Sequence, residues 1–146
     1  MKKENPAKTF LRRYLGLSRR VDALTRAIDI AMERATSISV KLKEIRVMSS
    51  PAEHDPMAAD VCTAVDACKM LFDEKAQAEK ALQEILIAIR AVPDERQRAV
   101  LTMRYVEGRE FSQIAEEMHF SEPAIYVAHG RALVIINKWL KENEHE

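Results

Sequence analysis

A chain of 146 residues with 47% apolar residues, three glycines and five prolines can bury one modest core, or join a long helical element to a small globular one. Its 23 basic and 23 acidic side chains cancel, yet unevenly: residues 1–50 hold twelve Lys/Arg against five Asp/Glu, residues 51–92 four against eight, and residues 93–146 seven against ten. No glycine-rich phosphate loop, nucleophile elbow or histidine–carboxylate constellation is visible, which argues against an enzyme and gives no reason to expect a cofactor.

The expected fold class is all-α, a long antiparallel coiled-coil-like hairpin followed by a small helix-turn-helix domain. In the first element Phe10, Tyr14, Leu17, Val21, Leu24, Ile28, Ala31, Ala35, Ile38, Leu42 and Ile45 alternate steps of four and three, the seam of a left-handed coiled coil. One helix of roughly forty residues follows from that period, with Gly16 inside it at a local cost of about 1 kcal/mol. Two prolines and several turn formers between Ser49 and Pro56 then predict a loop.

A second long helix is expected from about Met57 to Ala91. Its seam runs Ala64, Cys68, Leu71, Lys75, Ala78, Leu82, Ile85, Ile89 and Val92, and Val61, Val65, Phe72 and Leu86 widen the stripe. Two helices joined by so short a loop pack antiparallel, and an isolated pair would leave the flanking apolar residues wet. Docking on the C-terminal domain or self-association would cover them. A homodimer is expected, with Val21, Leu24, Ile28, Leu71, Leu82 and Ile85 as its contact residues; the pattern does not say whether the long helices pair within or between chains. Cys62 and Cys68, about 9 Å apart along one helix, are too far for a disulfide and read as small buried apolar residues in a reducing compartment.

Val92-Pro93-Asp94 ends the hairpin, dividing the chain into residues 1–92 and 93–146. Asp94 with Gln97 gives a capping-box-like start to a third helix, expected over residues 94–107, which turns Val100, Leu101 and Tyr105 inward and stops at Gly108, a C′ glycine. Residues 111–119 and 121–141 form the last two helices. Ile114, Ala115 and Met118 make one apolar face, and Ile125, Ala128, Ala132 and Leu133 another. Between them His119-Phe120-Ser121 breaks the chain. Ser121, Glu122 and Pro123 supply a capping hydroxyl, a first-turn acid and a proline whose missing N–H costs nothing there. The outward side of the last helix is expected to carry Glu122, Tyr126, His129 and Arg131, and Ile135, Ile136, Trp139 and Leu140 to pack on the hairpin.

Residues Val100-Leu101, Arg104-Tyr105, Gly108, Ile114-Ala115, Ser121, Ile125-Tyr126 and His129 to Leu133 together resemble the fourth region of bacterial sigma factors. The stretch also resembles the C-terminal domain of phage and prophage regulators of the RinA and ArpU kind. This resemblance implies sequence-directed binding of double-stranded DNA in transcription control, and in sigma factors the module also binds the RNA polymerase flap. Against that pattern, Glu110 stands where relatives carry Ser or Thr and His119 where they carry Gly. Pro123, Ala124 and Val127 replace the polar residues that commonly read bases.

The expected DNA-contacting residues are accordingly Ser121, Ala124, Tyr126, Val127, His129, Arg131 and Arg109, with Ala124 and Val127 suited to thymine methyl groups. Two functions compete: a DNA-binding regulator, and an adaptor that meets RNA polymerase or another regulator with little DNA affinity of its own. The slight acidity of residues 93–146 opposes phosphate binding, and the basic N-terminal segment, where Arg12, Arg13, Arg19 and Arg20 lie close in sequence, could offset it. His54, His119, His129 and His145 show no metal-ligand spacing, so no metal is expected. Apolar runs are too short for a membrane span and Lys2-Lys3 opens no signal-peptide core, so a cytoplasmic location is expected.

Overall fold

A computed structural model describes residues 3–48 and 56–144. Five helices follow in order: α1 Pro6–Met48, α2 Pro56–Arg90, α3 Glu95–Leu101, α4 Phe111–Met118 and α5 Glu122–Asn143, with a π-helical turn Thr102–Val106 continuing α3. The described residues contain no strand, and no helix among them is long and apolar enough to cross a membrane. The expected loop between Ser49 and Pro56 falls outside the described residues except at Pro56, which opens α2; His54 and His145 also lie outside them.

The contacts divide the chain into two compact units, residues 19–79 and residues 1–18 with 80–146. In the first unit the heptad seam closes within the single chain. Leu24, Ile28, Leu42, Cys68 and Ala78 are buried. Arg20 pairs with Glu74 at 3.8 Å, and a shallow apolar groove is lined by Ala27 and Ile38 of α1 and by Thr63 and Ala67 of α2. Low numbers on one helix face high numbers on the other, so the pair is antiparallel, as the short connection predicts. Leu24 and Ile28 are already buried in a single chain, a first correction to the expectation that they stand open to a second. Cys62 is a second correction, being exposed rather than buried.

The second unit is knitted from both ends of the chain. Ala7 and Leu11 of α1, Ile85, Ala88 and Ile89 of α2, Val92, Leu101, Tyr105, and Ala132, Leu133 and Ile136 of α5 make one cluster. Leu11, Ile85, Leu101 and Ile136 are fully buried, each a burial worth about 1.5–3 kcal/mol. Ile85, also expected at a dimer contact, belongs to the internal core of this chain; Val21, Leu71 and Leu82 are half-buried. The start of α1 is fixed across the unit. Asn5 and Asn137 side-chain oxygens both accept from the Ala7 N–H, at 3.0 and 2.9 Å, and the Asn137 amide donates to Asn5 Oδ1 at 3.0 Å. An N-terminal N–H of α1 is thereby satisfied partly by α5. Beside it Phe10 and Trp139 meet with ring centroids 6.0 Å apart.

At the start of α3 the Asp94 carboxylate accepts from the Gln97 N–H at 3.0 Å. Its reciprocal half is missing, because Gln97 Oε1 is buried without a partner. Val100, Leu101 and Tyr105 are buried as expected, but α3 ends at Leu101 and the chain widens into the π turn, closed by Glu107 N–H to Thr102 O at 3.1 Å and Arg109 N–H to Met103 O at 3.0 Å. Gly108 then takes φ +73°, and a Cβ on it would lie 3.2 Å from Leu15 Cδ1. The backbone conformation favours glycine there, and Leu15 leaves little room for a side chain.

Candidate nucleic-acid interface

The paired helices α4 and α5 are built from their termini inward. The Glu110 N–H donates to Gln113 Oε1 at 3.1 Å, the back-bond of a capping box. His119 closes α4 in the left-handed conformation, φ 59°. Phe120 N–H bonds to Ala115 O at 3.0 Å and His119 N–H to Glu116 O at 3.3 Å, the two bonds of a Schellman motif. A histidine can adopt this conformation at some cost where glycine would not be strained. Ser121 opens α5, its Oγ accepting from the Ala124 N–H at 3.3 Å, with Pro123 in the first turn.

Val100, Ile114, Ala115, Ile125 and Ala128 form the small core between these helices, with Met103, Phe111 and Met118 around it. Ala132 and Leu133, assigned by spacing to the same face, instead join the larger cluster with α1 and α2. What α5 leaves in solvent over its first half is Ser121, Glu122, Pro123, Ala124, Tyr126, Val127, Gly130 and Arg131. Tyr126 is 52% exposed and Val127 53%. Val134 continues this face toward Lys138.

His129 is not on that face, which corrects the sequence expectation. It is 6% exposed, and its Nε2 lies 2.7 Å from the Tyr105 hydroxyl. Burial, reinforced by the positive charges of Lys8, Arg104 and Arg12, lowers its pKa to about 4. Burial also raises the Tyr105 pKa, Arg104 and Arg12 opposing. The Tyr105 hydroxyl and the neutral imidazole share a hydrogen bond whose direction follows the tautomer. His129 therefore lies beneath the exposed face of α5 and not on it.

Phe111 links this buried pair to the surface. Its ring centroid lies 4.9 Å from His129, edge to face, and 4.6 Å from Tyr126, while the Arg104 guanidinium sits 4.5 Å above it. Arg104 also donates to the Arg109 carbonyl at 3.0 Å. Tyr126 is thus held against an aromatic ring instead of swinging freely in solvent. Arg109 is held as well, with Glu107 at 3.0 Å and Glu117 as a second carboxylate partner. Two acids beside it reduce what it can offer to a phosphate. Arg131 has no such carboxylate partner among the described residues.

Sequence reasoning missed Phe111 and Arg104 as parts of the site. Their signal was present only as proximity in the chain to Tyr105 and Gly108, and nothing in helical spacing tells that Phe111 stacks on Tyr126. Among the described residues no group of three His, Cys, Asp or Glu is placed to hold a metal ion.

No match to the chain was found among curated proteins or among solved structures. The family described as Sigma-70, region 4 matches residues 94–135, the span from the Asp94 cap through the exposed half of α5. The last third of the chain carries a sigma-factor region-4-like helix-turn-helix, a module of DNA-binding transcription regulators.

Proposed function

We propose that the chain is a sequence-specific DNA-binding transcription regulator of phage or prophage origin, acting in the cytoplasm as a homodimer and without catalytic activity. In this reading α5 enters the major groove of double-stranded DNA. Arg131 supplies a charged contact, Tyr126 a hydroxyl on a braced ring, and Ala124 and Val127 apolar contacts to thymine methyl groups. The hairpin over residues 1–92 serves as the dimerisation element for the module over residues 93–146. The two copies then present their α5 helices about 34 Å apart, one turn of the duplex.

The observation that supports this reading most is the exposed, capped start of α5 inside the segment matched by region 4. The test is fluorescence anisotropy with a duplex selected from a random pool, titrated at two salt concentrations. Wild type is expected to bind with a steep salt slope, and Arg131→Ala to weaken binding about tenfold or more, equivalent to roughly 1–3 kcal/mol for a base contact. Equal affinity for selected and unrelated duplexes would contradict sequence reading.

A second reading is favoured by the apolar character of the same face, on which Val127 and Val134 are 53% and 68% exposed. There the module docks on RNA polymerase or another regulator and has little DNA affinity of its own. Capture of polymerase by the full chain, lost on Val134→Asp, together with no DNA binding below the micromolar range, would favour it.

A further inference from the structure

Lys8 and Arg12 lie one turn apart on α1 and, with Leu15, line a recess whose other wall is Arg104, Tyr105, Gly108 and Phe111. Its volume is about 260 Å3, several times the ~30 Å3 share of a water molecule. Three cations line it and no carboxylate does. Among the described residues only one acid answers them: Glu4 pairs with Arg12 at 3.2 Å, and both of those side chains are more than half exposed, so the pair is weak and exchangeable. Lys8 has no ion-pair partner among the described residues. Arg104 is pre-oriented by the Arg109 carbonyl and the Phe111 ring, bonds that engage one N–H and one face of the guanidinium and leave other donors available. The charges are concentrated enough to be felt behind the wall, where all three cations disfavour protonation of His129.

We propose that this recess binds a phosphate group, with Lys8, Arg12 and Arg104 as its ligands. Such a site uses residues from both ends of the chain, and neither end shows it in its own sequence. It also locates positive charge beside a helix-turn-helix whose own segment is slightly acidic. Phe111 forms part of the recess and touches Tyr126, so the recess adjoins the exposed start of α5. Two sources fit the same chemistry, a backbone phosphate of bound DNA and a free phosphorylated small molecule. The first rests on the function proposed above; the second does not.

The experiment compares the full chain with the Lys8→Gln/Arg12→Gln double variant and, separately, with Arg104→Gln, after thermal melting has shown each to be folded. Each is titrated with duplex DNA over a range of salt, and with pyrophosphate followed by calorimetry. If the recess holds a DNA phosphate, either variant lowers the salt slope by about one, as loss of one neutralised phosphate requires, and weakens selected and unrelated duplexes alike. If it holds a free phosphorylated ligand, pyrophosphate binds the wild type and not the variants, while the DNA slope stays the same. An unchanged slope together with no pyrophosphate binding overturns the proposal, and a persisting effect of Arg131→Ala on DNA would leave the function above intact. Failure of the wild type to bind any DNA would remove that function, and the pyrophosphate titration would still decide the recess.

Discussion

The two compact units solve the burial problem differently. Residues 1–18 with 80–146 enclose a core in which Leu11, Ile85, Val92, Leu101, Ile114, Ile125 and Ile136 are all fully buried. Residues 19–79 are a two-helix pair with one apolar seam, and a pair of cylinders has only one line of contact. It leaves Ile30 64%, Met70 66% and Phe72 47% exposed. The first is the closed unit in that it encloses a core, though Ile87 and Val134 remain 51% and 68% exposed on it; the second is the open one, with apolar surface of the kind that marks an association face. The helix-turn-helix lies in the closed unit, while the hairpin of residues 1–92 proposed for dimerisation draws residues from both.

The sharpest break of this comparison is a cavity in the closed unit. Leu101→Ala is expected to cost about 2–5 kcal/mol, read by urea denaturation. A loss below 1 kcal/mol would mean that the core is less tightly shared than its burial indicates. Acid should act on the same unit. The folded pKa of His129, about 4, lies below its ordinary value of 6.5, so between these values the unfolded chain binds the proton that the folded chain refuses. The stability that neutral His129 secures is complete above pH 6.5 and falls as pH drops toward 4, by at most about 3 kcal/mol. Replacing His129 by Gln should flatten that part of the pH–stability curve; an unaltered curve would show that the imidazole is not buried neutral.

A smaller effect belongs to the start of α5. Ser121→Ala removes the hydroxyl that accepts from Ala124 N–H and should cost about 1 kcal/mol, with a matching loss of amide protection over residues 122–125. The open unit should respond in assembly more than in folding. Phe72→Ser and Ile30→Ser, at exposed positions, are expected to change the chemical stability of the monomer by no more than about 0.5 kcal/mol while dispersing the dimer in light scattering. Loss of secondary structure without a change in mass would contradict the proposed dimer face.

Much of this was legible from spacing. The heptad gave two long helices, Asp94 and Ser121 marked the starts of α3 and α5, and Gly108 and His119 marked the left-handed breaks before and after α4, because each of these signals is local. The π turn was not legible, since Val100, Leu101 and Tyr105 face inward whether the turn holds an ordinary or an extra residue. His129 was misassigned because it lies at the edge of the α5 stripe, one residue past Ala128, where spacing allows either face. Its Tyr105 partner, 24 positions earlier, decides the matter, and no local pattern carries that bond. The recess of Lys8, Arg12 and Arg104 was invisible for the same reason, since nearly a hundred residues separate its walls.

The most direct test of the account is amide chemical-shift mapping of the full chain against a selected duplex. The account predicts perturbations concentrated at Ala124, Tyr126, Val127 and Arg131, with His129 responding only through its neighbours. Saturable shifts confined to residues 19–79, with the first half of α5 unmoved, would contradict it.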